Sequence, residues 1–140
     1  MLTVEASGDA RHVVKTLGAL PASYSANCEV VINDKDFDIV ARNAIFLLTA
    51  LRFSPQEAVP IILHLWYSAL IPERTHRSLR ENILPVIQDV CDKIKGREPT
   101  ALQSKRFTYG TRSLQLLFYP AQWNLALGYF HSRSFPKNPA

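Results

Sequence analysis

The chain has 140 residues, of which 47% are hydrophobic and 20% are charged. This length and composition predict one folded domain with its own core, and they exclude a disordered chain. The longest apolar segments are interrupted by polar residues and fall short of the roughly 20 residues that span a bilayer, so no membrane association is predicted.

The charge is unevenly distributed along the chain. Residues 1–98 carry 11 basic and 12 acidic side chains, whereas everything after Pro99 contains five basic residues and no acid. The basic residues of this second part are Lys105, Arg106, Arg112, Arg133 and Lys137. Because they are spread over several predicted elements, a solvated basic edge is favoured over a nucleic-acid surface. An acidic partner, or a missing part of a longer chain, that covers this edge is a further interpretation.

Two short β-branched segments, Leu2–Ala6 and Glu29–Ile32, each end in a small or acidic turn and lead into a helical pattern. A strand followed by a turn and a helix, occurring twice in succession, is typical of an open α/β sheet. The second segment lacks alternation, as expected of a parallel strand that is covered on both faces. The first strand begins at the N-terminus without a lead-in, which indicates a fragment of a longer chain.

Helix signals follow along the rest of the sequence. Helices are predicted at residues 9–20, 37–53, 55–71, 73–95 and 121–130. Asp36 is a predicted N-cap, and Ser54 with Glu57 forms a predicted capping box. Pro60 predicts a kink or a late start of its helix, and Pro85 predicts a bend in the helix at residues 73–95.

The segment Ser113–Tyr119 reads as a third strand, followed by a helix that begins near Pro120. The predicted fold is therefore α/β, with a mostly parallel sheet flanked by helices. We predict a single domain at residues 1–131 and a flexible tail at residues 132–140.

The turns after the first two strands carry the candidate ligand-binding residues. They are Ser7, Gly8, Asp9, Asn33 and Asp34. Ligands of open α/β sheets lie beyond the carboxyl ends of the strands, where helix N-termini attract anions and an acid can hold ribose hydroxyls. Only one glycine is present, so a dinucleotide fingerprint is not matched. The alternative is that Asp9 and Asp36 are helix caps and that Asp34 is a turn residue.

The sequence indicates neither a catalytic set nor a metal site. The four histidines lie on separate elements, and no nucleophile elbow or phosphate-binding loop occurs. Cys28 and Cys91 are far apart and have no partner at zinc spacing, so we interpret them as reduced thiols rather than as a disulfide or zinc ligands.

Three segments that follow one another along the chain resemble a known family: Ala6–Thr16, Val31–Asn43 and Leu65–Leu70. They are similar to a domain of unknown function that occurs in fungal proteins with a MYND-type zinc finger and at the N-terminus of dynein axonemal assembly factor three. The resemblance extends over about Val4 to Phe130. It implies a Rossmann-like, methyltransferase-like architecture, of which this chain would be an incomplete copy, a cytoplasmic setting and a role in assembling other proteins. Two cysteines cannot form a MYND finger, so a role that depends on the finger would not reside here.

Three functional hypotheses result. The first is a non-enzymatic module that works through contact with a protein partner and has no cofactor. The second is a methyltransferase-type domain that binds S-adenosylmethionine at Gly8, Asp9 and Asp34. The third is nucleic-acid binding through the basic residues after Pro99, with steeply salt-dependent affinity as its signature.

Overall fold

A computed structural model of the chain describes residues 2–6, 23, 28–32, 35–67, 72–128 and 130. The chain divides into two compact units, Met1–Asn43 and Ala44–Ala140. Compact units of this kind can belong to one domain, so the predicted single domain at residues 1–131 stays a prediction. The predicted tail, residues 132–140, lies outside the described residues.

The first unit contains a parallel pair of strands, β1 (Leu2–Ala6) and β2 (Cys28–Ile32). Their register runs from Leu2 opposite Cys28 to Ala6 opposite Ile32. Both strands were predicted from their β-branched residues, and their parallel direction agrees with that prediction. The predicted helix at residues 9–20 lies outside the described residues.

Helix α1 (Phe37–Arg52) begins in the first unit and continues into the second. The Asp36 carboxylate accepts a hydrogen bond from the Asp38 amide at 2.9 Å. Asp36 is therefore the N-cap of this helix, as predicted. The helix ends before Ser54 and Pro55, which start helix α2 (Pro55–Tyr67). The Ser54 hydroxyl accepts from the Glu57 amide at 3.4 Å, so Ser54 caps the helix as predicted. The Glu57 carboxylate accepts from the Ser54 hydroxyl at 3.0 Å and not from the Ser54 backbone amide, so only the Ser54 half of the predicted capping box is present.

Three further helices belong to the second unit: α3 (Glu73–Asn82), α4 (Leu84–Lys93) and α5 (Pro120–Gly128). The predicted bend at Pro85 is a break between two helices. The single residue Ile83 separates α3, which ends at Asn82, from α4, and Pro85 lies in the first turn of α4. Proline is tolerated there because the amides of a first helical turn have no intrahelical acceptor. Pro60, in contrast, lies inside α2 without delaying its start.

Strands β3 (Gln103–Tyr109) and β4 (Arg112–Phe118) form an antiparallel hairpin in the second unit. The core of this unit is apolar and includes residues from the helices and from one face of the hairpin. Its most deeply buried large side chains are Ile45, Leu48, Leu79, Ile83, Ile87 and Trp123.

The predicted Rossmann-like, methyltransferase-like fold with a mostly parallel sheet is wrong. The described strands form two separate two-stranded sheets, and only β1 and β2 are parallel. The segment predicted as a third parallel strand, Ser113–Tyr119, forms β4 of the hairpin instead. The physical reason is its alternation of exposed and buried residues, which suits a sheet with one face in water, whereas a central parallel strand is covered on both faces.

Candidate functional site

The residues predicted to bind a ligand follow the two parallel strands. Ala6 and Ile32 are paired, so the carboxyl ends of β1 and β2 lie at the same edge. Ser7, Gly8, Asp9, Asn33 and Asp34 lie outside the described residues. Their assignment therefore stays a prediction.

The hairpin β3–β4 offers a second candidate site, and its turn fixes its geometry. Tyr109 and Arg112 are paired across Gly110 and Thr111, and Gly110 has a φ of 65°. A two-residue turn with glycine in the left-handed region matches the twist of the flanking strands. The register is thereby set for the whole hairpin, from Tyr109 opposite Arg112 to Gln103 opposite Phe118.

The inner face of the hairpin is anchored to the core by Trp123, which is fully buried. The Trp123 indole N–H donates to the Gln103 carbonyl oxygen at 3.1 Å. Its ring meets the Phe118 ring edge-on at a centroid distance of 5.0 Å. The Cys91 thiol of α4 donates to the Trp123 carbonyl oxygen at 3.5 Å. One residue of α5 thus contacts both α4 and the hairpin.

The outer face of the hairpin carries an ordered polar ladder that is exposed to solvent. The Arg106 guanidinium donates to the Gln115 side-chain oxygen at 2.9 Å and to the Ser113 hydroxyl at 3.0 Å. The Gln115 amide group donates in turn to the Ser104 hydroxyl at 2.7 Å. The acceptors are neutral, so these contacts orient the Arg106 charge without neutralising it.

The end of the outer face that is farthest from the turn, called the open end below, is apolar. Leu102 and Leu117 are 52% and 53% exposed, and Tyr119 is 43% exposed. Leu117 is paired with Ser104, while Leu102 and Tyr119 flank the last pair of the register. Large apolar side chains that share one exposed face are typical of an interaction surface rather than of scattered surface residues.

An open groove of about 400 Å³ runs between α4 and β3. Its lining consists of Pro85, Val86 and Asp89 from α4 and of all residues from Lys105 to Tyr109 in β3. The Asp89 carboxylate forms an ion pair with Lys93 at 3.0 Å, and both side chains are largely exposed. The groove therefore combines apolar side chains with two cations that form no ion pair among the described residues, the half-buried Lys105 and the exposed Arg106.

Burial raises the pKa of two titratable groups in this region. Burial raises the pKa of the Tyr109 phenol, an effect that the nearby Arg52 guanidinium opposes. Burial also raises the pKa of the Cys91 thiol, and the Asp92 carboxylate adds to the increase. Both groups therefore stay protonated and neutral at physiological pH, which suits packing and hydrogen bonding rather than nucleophilic chemistry.

The described residues contain neither a metal-binding cluster nor a membrane-spanning helix. No group of three or more histidine, cysteine, aspartate or glutamate side chains in residues 2–6, 28–32, 35–67 and 72–128 could hold a metal ion. Within the same part of the chain, no helix is long and apolar enough to cross a membrane.

Comparison with known proteins places the chain in a family. Residues 1–71, half of the chain, match the family described as "Domain of unknown function (DUF4470)", and the chain belongs to this family. No curated protein and no solved structure matches the chain. The predicted family of unknown function is thus confirmed over residues 1–71, a shorter range than the predicted Val4–Phe130. The predicted relation to MYND-type proteins and to the dynein assembly factor stays a prediction.

The family match and the hairpin occupy different parts of the sequence. The match includes β1, β2, α1, α2 and the predicted ligand-binding residues, whereas the hairpin, α4 and α5 follow residue 71. The hairpin surface was not predicted from the sequence, because only β4 of its two strands was assigned as a strand. The Gly110–Thr111 turn between two alternating segments was the available signal.

Proposed function

We propose that this chain is a non-enzymatic protein-interaction module that uses the outer face of the hairpin β3–β4. The observation that carries the proposal is the composition of that face. Leu102, Leu117 and Tyr119 lie exposed at one end, and Arg106 is held by a hydrogen-bonded ladder in the middle of the same face. Protein interfaces combine an aromatic and aliphatic centre with arginine in this way.

The hairpin suits this role because it packs against the core through its inner face. The inner face is packed against Trp123, so the outer face can be buried by a partner without rearrangement of the core. A pre-formed surface reduces the entropy lost on binding. A cytoplasmic setting is part of the proposal, and its support is that both thiols, Cys28 and Cys91, are free.

Affinity capture with paired variants tests the proposal. Leu117→Glu places a charge on the outer face, and Leu63→Glu makes the same change on α2, where Leu63 is similarly exposed at 48%. We expect wild-type protein and Leu63→Glu to retain the same partner and Leu117→Glu to lose it, with circular dichroism showing that all three are folded. A partner set that is identical for all three proteins would contradict the proposal.

A second candidate function, binding of S-adenosylmethionine at Gly8, Asp9 and Asp34, has one observation in its favour. The parallel register ends with Ala6 opposite Ile32, so both predicted turns leave from one edge. Isothermal titration with S-adenosylmethionine tests this candidate. Binding that Asp34→Ala abolishes and Asp38→Ala preserves would support it, and the absence of heat with folded protein would exclude it.

A further inference from the structure

We propose that the free edge of β3 binds an extended, acidic segment of the partner protein, which joins the hairpin as a third strand beside α4. This inference rests on the proposed interaction function and deepens it, because it names the surface and the chemistry of the partner segment. Three features of the second unit support it: the direction of the β3 backbone groups, the groove along β3, and the charge of the hairpin.

The register determines which backbone groups of β3 point away from β4. Tyr109 and Arg112 flank a two-residue turn, so they form a hydrogen-bonded pair, and the next pair, Thr108 with Ser113, does not. By alternation, Ser104, Arg106 and Thr108 direct their N–H and C=O groups to the free edge. In the described part of the chain, β3 pairs with β4 alone. An unpaired edge of this kind is a template for strand addition.

The groove gives an added strand a place for its side chains. Arg106 and Thr108 carry their side chains on the outer face and still line the groove, so the groove reaches the edge to which their backbone groups point. Pro85 and Val86 form the opposite, helical wall. Strand addition gains affinity from main-chain hydrogen bonds and specificity from pockets for alternate side chains, and both are available here.

The groove also distinguishes the two edges of the hairpin. By the same alternation, Ser113, Gln115 and Leu117 direct backbone groups to the free edge of β4. None of the residues that line the groove belongs to β4. The edge of β3 is therefore the one with pockets for a partner's side chains, and we assign the partner segment to it.

Charge selects an acidic segment. The hairpin carries Lys105, Arg106 and Arg112 and contains no acidic residue. The one acid that lines the groove, Asp89, is already paired with Lys93 at 3.0 Å. Acidic side chains of an added strand would meet Arg106 if they lie on the outer face and Lys105 if they lie on the inner face. A second copy of the hairpin would instead place like charges together, which disfavours self-association through this edge.

Hydrogen exchange measured by NMR on the full chain tests the inference directly. The probe is a blocked peptide of about seven residues, the length of a typical strand, that alternates glutamate and valine. In the free protein, the amides of Lys105, Phe107 and Tyr109 should exchange slowly because they bond to β4. The amides of Ser104, Arg106 and Thr108 should exchange fast and become protected when the peptide is added.

Matched variants and peptides complete the test. Thr108→Pro removes a donor at the free edge without removing a backbone hydrogen bond of the hairpin. Ser113→Pro makes the same backbone change on β4 but also removes the hydroxyl that accepts from Arg106, so Ser113→Ala is its matched control. We expect Thr108→Pro to weaken peptide binding by about tenfold or more, while Thr108→Val binds nearly as wild type and Ser113→Pro binds as Ser113→Ala does. A peptide with lysine in place of glutamate should also bind at least about tenfold more weakly, and affinity should fall as salt rises.

The outcomes separate the inference from the proposed function. No binding of the glutamate peptide, equal binding by Thr108→Pro, or new protection at the β4 amides would overturn strand addition at β3. If the partner captured from cells depends on Leu117 and is retained by Thr108→Pro, the interaction function stands and the inference fails. If no captured partner depends on Leu117, the proposed function fails, and the inference that rests on it fails with it.

Discussion

The two faces of the hairpin β3–β4 are built from the same strands and differ sharply in what they contact. The most buried large apolar residues of the inner face are 5–8% exposed, and those at the open end of the outer face are 43–53% exposed. The inner set is Phe107, Leu116 and Phe118, and the outer set is Leu102, Leu117 and Tyr119. Residue type therefore does not separate the faces, since both carry leucines and aromatic rings. Trp123 separates them, because it packs against the inner face alone.

This difference indicates a division of roles within one hairpin. Burial of the inner side chains stabilises the fold, because each removes apolar surface from water. The outer side chains contribute little to the stability of the isolated chain, so their apolar character is better explained by a partner that covers them. Substitutions on the two faces should consequently affect different measurements: unfolding for the inner face and binding for the outer face.

The largest expected effect is that of Trp123→Ala, which removes the anchor of the inner face. We expect a loss of about 3–5 kcal/mol in the free energy of unfolding, as for other large-to-small substitutions in cores. The Gln103 carbonyl oxygen and the Phe118 ring would both lose their contacts with the indole. Urea denaturation followed by circular dichroism measures the loss.

The control is Leu125→Ala on the same helix, where the side chain is 62% exposed. It should change the free energy of unfolding by less than about 0.5 kcal/mol. If Trp123→Ala and Leu125→Ala destabilised the protein equally, the hairpin would not be anchored as described, and the contrast between its faces would lose its basis.

An intermediate effect is expected from Gly110→Ala, which tests the turn that sets the register of both faces. Gly110 has a φ of 65°, and no atom lies within 4 Å of the position that an added Cβ would take. The cost is therefore conformational rather than steric, and we expect about 1 kcal/mol in thermal or urea unfolding. Gly128→Ala is the matched control, since Gly128 is helical and also has open space around it. There alanine should stabilise slightly or have no effect, and a loss equal to that at Gly110 would contradict the turn assignment.

Sequence analysis succeeded where the deciding interactions are local. The Asp36 cap and the Ser54 cap depend on groups within three residues of each other, and both are present in the structure. The strands β1 and β2 were recognisable from their short β-branched segments. Local chemistry of this kind is visible in a sequence because the partners are adjacent in it.

Prediction from the sequence failed where the choice of partner strand decides. Ser113–Tyr119 was assigned to the sheet of the first two strands, although its partner strand is much closer in sequence: Arg106 lies seven and nine positions before Ser113 and Gln115, to which it donates. The groove was missed for a related reason, because it requires that β3 lie beside Pro85 and Val86 of α4. No periodicity of either segment encodes that proximity; it arises from packing against Trp123.

The smallest expected effect on the free energy of unfolding is that of Gln115→Ala. It is compared with a substitution of Leu116, the next residue of β4, whose side chain lies on the opposite face. Gln115→Ala removes the centre of the outer ladder and leaves Arg106 with the Ser113 hydroxyl as its acceptor. Since these groups are exposed, water replaces the lost hydrogen bonds, and the free energy of unfolding should change by less than about 0.5 kcal/mol. Leu116→Ala, one residue away and 8% exposed, should cost about 2–4 kcal/mol. Paired urea titrations of these two variants measure the contrast directly. A comparable loss in both would mean that the outer ladder stabilises the hairpin, in which case its polar residues would need no partner to explain them.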